Sequence, residues 1–161
     1  MTYLIRECKF ADEKEVLKLW KRNNLINNTI LYNDWKLIWS QLNPAYNNEW
    51  PIGWVIESKN KIVGSLCNVP LLYFYKGNKI ITAAARGYVV DLEARFLSIK
   101  LASFFFNQKN VDLFISTTLN KNSSLIFKMF KCYPLNNDNY TSIMMCYINY
   151  KLIIKNKIKF F

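Results

Sequence analysis

The centre of this chain limits its possible folds more than any other part. From Trp54 the apolar pattern takes the period of strands, with runs over 53–58, 62–75 and 80–90 separated by polar turns at Ser58-Lys59-Asn60-Lys61 and Lys76-Gly77-Asn78-Lys79. Turns this short between β-rich runs join neighbouring antiparallel strands, and Gly77-Asn78 is a two-residue hairpin signal. The centre is therefore predicted to be an antiparallel meander, which excludes an all-helical chain and a purely parallel sheet.

The flanks add helices. Residues 3–8 alternate as a strand does, and Ala11-Asp12-Glu13 places acids in the first turn of a helix whose Val16, Leu17, Leu19 and Trp20 share a face. Leu31, Trp35, Leu37, Ile38 and Trp39 recur at helical spacing up to a stop at Asn43-Pro44. Beyond Asp91-Leu92-Glu93-Ala94, a helix carrying Leu97, Leu101, Phe104 and Phe105 leads to a strand over Val111–Ser116. Strand, helix, strand at that spacing implies a right-handed parallel crossover. Asn120 is an N-cap for a last helix with Leu125, Ile126, Met129 and Phe130, and residues 142–148 read as a closing strand. The expected class is α+β.

Composition narrows the chemistry. With 161 residues, 52 % of them apolar, the chain reads as one domain that needs neither disulfide nor metal. Its apolar runs are too interrupted for a membrane span, and its first residues lack the pattern of a secretory signal, so a cytoplasmic location is expected. There is no histidine, which removes the serine triad and every histidine base. The four cysteines, Cys8, Cys67, Cys132 and Cys146, lie far apart and read as free thiols, with no metal site. Any general base must be a carboxylate, a water, or a perturbed lysine or tyrosine.

The net charge of +11 suits nucleic acid, an anionic membrane surface or a phosphorylated small molecule, and does not choose among them. Lysine supplies 18 of the 22 basic residues, which looks like compositional bias rather than a nucleic-acid stripe. Only the tail, with Lys151, Lys155, Lys157 and Lys159, is a clear basic run, and it reads as a solvated strand or chain end.

A strand end that feeds a helix leaves backbone N–H groups unpaired, with the positive end of the helix dipole behind them, which suits a pyrophosphate. The candidate donors here belong to residues 96 to 101. The element order, and the stretch Val89-Val90-Asp91-Leu92-Glu93-Ala94-Arg95-Phe96-Leu97-Ser98-Ile99-Lys100-Leu101, resemble the GNAT acyltransferases over about residues 3 to 150. Arg95 stands at the family's Arg or Gln, Val111-Asp112-Leu113-Phe114 at the next strand, and Asn120-x-x-Ser123-x-x-Ile126-Phe127 is similar to the helix start that flanks coenzyme A. The runs 106–113 and 117–120, with Asn43-Pro44 and Gly53-Trp54, look like a poorly characterised bacterial subgroup whose members are often longer. Residues 1–161 would then form a single acyl-CoA-binding domain without a C-terminal second domain.

The resemblance implies a GNAT fold of α/β/α layers around a mixed, mostly antiparallel sheet. It also implies acetyl-CoA or another acyl-CoA as co-substrate, no metal, and transfer to the amine of a small molecule such as an amino sugar or amino acid. A homodimer is left open. Coenzyme A would be held by Tyr88, Val89, Val90, Arg95, Phe96, Leu97, Ser98, Ile99, Lys100, Leu101, Asn120, Ser123 and Phe127. The candidate bases are Asp91 and Glu93, with Glu57 behind them, and Thr117 and Thr118 are candidates to hold a water or the acceptor.

The sequence departs from the family pattern in ways that favour binding over catalysis. Ser98 and Lys100 replace the loop glycines, Leu92 replaces a proline, and Lys131-Cys132 replaces Gly-Phe. Phe127 stands where many relatives place the tyrosine that protonates the departing thiolate. The alternative reading is accordingly a catalytically lapsed acyl-CoA-binding or interaction protein. Trp35 and Trp39 are expected in the core rather than in an acceptor pocket, whereas Arg86, in an apolar strand, must be paired or face a cleft.

Overall fold

The computed structural model describes residues 2–26, 35, 38–117, 119 and 121–133. One sheet of five strands runs in chain order, β1 (Leu4–Glu7), β2 (Gly53–Ser58), β3 (Lys61–Tyr75), β4 (Asn78–Val90) and β5 (Leu113–Ile115). The first three pairings are antiparallel and β4 with β5 is parallel, so the predicted meander and crossover are both present. Helix α1 (Glu13–Arg22) follows β1, α2 (Ser98–Phe106) spans the crossover, and α3 (Lys121–Met129) comes after β5.

Both hairpin loops have two residues. Lys59 and Asn60, at φ +50° and +58°, make the first, and Lys76 and Gly77, at +50° and +80°, make the second. Left-handed backbone at both central positions is the type I′ turn, whose twist matches that of the strands it joins. This corrects the expected Gly77-Asn78 loop by one residue, because Asn78 already pairs with Tyr75. Strand β5 is also shorter than the predicted 111–116. Asp112 precedes it as a clip, its N–H donating to the Ile81 carbonyl and its carboxylate accepting from the Ile81 N–H, each at 2.8 Å. The predicted closing strand, the basic tail, Cys146, Leu31, Leu37, Thr118 and Asn120 lie outside the described residues.

Strand alternation puts the two helical layers on opposite faces. Ser65 of β3 meets Trp20 of α1, whereas its neighbour Leu66 pairs across to Trp54, whose ring lies tilted 6.4 Å from that of Phe104 of α2. Helix α1 buries Val16, Leu17, Leu19 and Trp20, the predicted face, with Glu13 and Glu15 in its first turn and Lys21 and Arg22 in its last, as the helix dipole favours. Trp20, Trp35 and Trp39 form a chain of rings with centroids 6.4 and 5.0 Å apart. Trp35 and Trp39 are each 2 % exposed, so they are core residues as expected. The indole N–H groups of Trp39 and Trp50 both donate to the carbonyl of Asn68. On the other face α2 buries Leu101, Ala102 and Phe105. Full burial of side chains the size of Leu101 and Phe105 is worth about 1.5–3 kcal/mol each. Cys8 and Cys67 are buried free thiols, and burial pushes the Cys67 thiol up to about 12.

Candidate functional site

Strand β4 changes character at Gly87. Ser65 pairs with Val89 and Cys67 with Arg86, so two residues of β4, Gly87 and Tyr88, stand opposite Leu66 alone. An extra residue in one strand is a β-bulge, and Gly87 supplies it with a left-handed φ of +64°. Only glycine fits there, since a Cβ would overlap the indole of Trp20. The bulge is held from below: the Trp20 N–H donates to Ser65 Oγ at 2.9 Å, and that hydroxyl donates to the Gly87 carbonyl at 2.8 Å.

The bulge also inverts the alternation. Arg86 and Tyr88, two apart, would otherwise share a face. Instead the Arg86 guanidinium lies 5.7 Å over the Trp20 ring on the α1 side. Tyr88 faces α2 and α3, its ring 5.7 Å from that of Phe127 and its hydroxyl donating to the Ser98 carbonyl at 2.9 Å. Burial pushes the Tyr88 phenol up to about 12, against a smaller opposing pull from the Ser98 side chain.

Strand β5 stays with β4 only from Thr82–Leu113 to Ala84–Ile115. From Ala85 to Val90 that edge of β4 has no strand partner among the described residues. The strand then passes through Asp91 into a 3-10 turn over Leu92–Leu97 and so into α2. The turn corrects the reading of a strand that feeds a helix directly. It closes the N–H of Ser98 on the Arg95 carbonyl, as Ala94 closes on Asp91, so Ser98 drops out of the N–H donors expected over 96 to 101. Ser98 itself is buried, while Arg95 and Phe96 on the turn and Ile99 and Lys100 at the start of α2 are exposed. Leu97 is half-buried and Leu101 is in the core.

Nine of the predicted site residues fall into two groups. Tyr88 links two others, its hydroxyl bonded to Ser98 at the start of α2 and its ring against Phe127 of α3, with Val89 and Val90 beside it on β4. Arg95, Phe96, Ile99 and Lys100 form an outer basic rim, on which Tyr3 steadies Phe96 edge-on at 5.3 Å. Asp91 belongs to neither. Its carboxylate points to α1, where Arg22 donates to both oxygens (Nε 3.0 and 3.0 Å, Nη2 2.6 Å) and Asn23 to Oδ1 at 2.8 Å. Burial opposes its ionisation, but the hydrogen bonds from Arg22 and Asn23 outweigh that and hold it below the usual carboxylate range. A tied, acidic carboxylate is a poor base, so Asp91 is an anchor for the end of α1.

Glu57 is held by Arg6 at 2.7 Å. Glu93 is exposed, and its carbonyl accepts from the Tyr3 hydroxyl at 3.3 Å. Phe127 is 3 % exposed among Phe105, Phe106 and Tyr88, so its ring does not face the gap. Ser123 is buried on the same helix, and Thr117 is exposed beyond β5. Sequence reasoning missed the support beneath the bulge, Trp20 and Ser65, and the partners of Asp91, Arg22 and Asn23. Gly87 inside an apolar run was the available signal. A separate cavity of about 280 Å³, between Trp50, Leu72, Lys79 and Gln108, is lined by none of the predicted site residues.

Solved structures share the overall fold of this chain. A predicted acetyltransferase with acetyl-CoA from Clostridium acetobutylicum matches with a TM-score of 0.65 and 14 % identity, over 89 % of this chain and 96 % of that one. Glucosamine-6-phosphate N-acetyltransferase from Arabidopsis thaliana gives 0.59 and 16 %, over 92 % and 100 %. The chain has the GNAT acyltransferase fold. An aminoglycoside acetyltransferase from an uncultured soil metagenomic sample, in complex with sisomicin, shares the GNAT fold at 0.53 and 15 %, over 90 % and 96 %. No model of a known protein family matches the sequence, and no curated protein does.

Proposed function

We propose that this protein binds an acyl-coenzyme A along the free edge of β4 and transfers the acyl group to the amine of a small-molecule acceptor. The observation that carries the reading is the parting of β4 from β5 after the Ala84–Ile115 pair, with the Gly87–Tyr88 bulge in the length that has no partner on that edge among the described residues. Polar backbone groups along an unpaired strand edge take the amides of an extended ligand as an added strand would, and pantetheine carries amides of its own. Arg95, exposed on the turn, and Lys100, exposed at the start of α2, supply positive charge where the pyrophosphate would lie. The residues present therefore fit such a ligand, with the Ser98 hydroxymethyl in place of a glycine as the tightest point.

When bound, the thioester supplies an acyl carbonyl already activated towards attack. The chain's part is to hold it still and to direct a strand N–H at the developing oxyanion. With Asp91 tied to Arg22 and Glu57 to Arg6, the proton of the attacking amine leaves to water or to the exposed Glu93. An amino sugar or amino acid is the acceptor class favoured, and the solved structures of similar fold include enzymes named for a glucosamine phosphate and for aminoglycosides. We read residues 1–161 as one domain.

A second reading, acyl-CoA binding without turnover, draws on the burial of Phe127 and on the Tyr88 hydroxyl being engaged with Ser98. Neither position offers an unengaged acid to the departing thiolate. Thiol release from acetyl-CoA with a panel of amino sugars and amino acids separates the two. Amine-dependent release supports the transferase, coenzyme A binding without release supports the second reading, and absence of binding contradicts both.

A further inference from the structure

The tip of the β3–β4 hairpin is unlike the rest of the surface. Pairing of β2 with β3 ends at Cys67 and pairing of β4 with β5 begins at Thr82, so residues 73–80 extend as a two-stranded ribbon with no third strand beside it among the described residues. Three consecutive aromatics stand there in solvent, Tyr73 at 45 %, Phe74 at 69 % and Tyr75 at 62 % exposure. Lys76 Nζ lies 5.4 Å over the Tyr75 ring, and Lys79 pairs across from Phe74. The chain carries no acid between Glu57 and Asp91, so the whole hairpin is basic.

We propose that this tip is a wedge that docks the protein on an anionic membrane surface. Strand alternation places Tyr73 and Tyr75 on one face of the ribbon and Phe74 on the other, so the apolar rings surround the tip. Rings on both faces suit insertion into an interface that closes around them, where Tyr and other amphipathic rings settle at headgroup level. Lysines beside them meet the negative surface potential. A single strand of nucleic acid would instead call for rings on one face of a basic groove. A second copy docking tip to tip would bring Lys76 and Lys79 against their own equivalents. No described helix is long and apolar enough to cross a membrane, so the association is peripheral.

The test is cosedimentation of the full chain with vesicles of phosphatidylcholine alone and of phosphatidylcholine with phosphatidylserine. The protein is expected to pellet with the anionic vesicles and to be released by salt. Lys76→Gln with Lys79→Gln should weaken that binding by about 25-fold, about fivefold per charge. Phe74→Ser with Tyr75→Ser should weaken it at least about tenfold, the effect of losing buried ring area. Circular dichroism confirms that these exposed changes leave the fold intact. Absence of binding, binding that neither double variant diminishes, tip-dependent binding to single-stranded DNA in place of vesicles, or tip-dependent dimerisation would each overturn the proposal. Coenzyme A binding is a separate readout and does not bear on it.

Discussion

The hydroxyl of Tyr88 donates to the carbonyl of Ser98 at 2.9 Å, joining the bulge of β4 to the first residue of α2. One bond thus fixes the strand edge relative to the turn between them, the two surfaces a long extended ligand would have to touch at once.

Tyr88→Phe keeps the ring against Phe127 and removes that bond, so it should cost about 0.5–1.5 kcal/mol in urea denaturation. The phenol is raised from its usual 10 to about 12, mainly by burial. Its contribution is therefore complete below pH about 10 and lost as pH rises through about 12, because only the unfolded chain releases the proton in that window. The variant's stability should fall less steeply there than that of the unaltered protein.

Asp91→Asn separates an anchor from a base. Loss of the charge-assisted bonds from Arg22 should destabilise the fold by about 1.5–3 kcal/mol. Because the Asp91 pKa is lowered, its stabilisation is present above the usual carboxylate range and lost as pH falls through the depressed value. Thermal scans across acid pH should show the variant losing less on acidification. Any turnover measured well below its melting point should survive, whereas a catalytic base would take the rate with it.

Gly87→Ala forces a side chain into left-handed backbone and against Trp20. Strain of about 1–2 kcal/mol from the backbone and about 1–3 kcal/mol from overpacking should lower the urea midpoint markedly. Trp20 fluorescence should shift with it, since its N–H is bonded to Ser65.

Phe127→Tyr adds a hydroxyl inside an aromatic cluster rather than at a cleft. The expected outcome is a loss of about 1–3 kcal/mol, the cost of a buried polar group without a partner, and no gain in thiol release. A stable variant with accelerated release from acetyl-CoA would show that the ring reaches the gap.

Local pattern carried much of this architecture. The alternation over 53–58, 62–75 and 80–90 gave the meander, and the acids before Val16 gave α1, because hairpins and amphipathic helices are written in neighbouring residues. The site was less legible for a physical reason. Asp91 finds Arg22 69 residues away, and a carboxylate at the head of a turn reads the same whether solvated, catalytic or anchored. The burial of Phe127 depends on how α3 settles against α2, which periodicity does not fix. The bulge needs the register of β3 against β4, of which Gly87 alone left a trace.

The most direct test of the acyl-CoA site is titration of coenzyme A by calorimetry, with amide hydrogen exchange followed on the same complex. The account predicts binding with slowed exchange in residues 85–101, and a loss of affinity of about 2–30-fold for Lys100→Ala, the range of about 0.5–2 kcal/mol for a charge-assisted bond. No heat at millimolar ligand, or binding that leaves exchange over 85–101 unchanged, would contradict it.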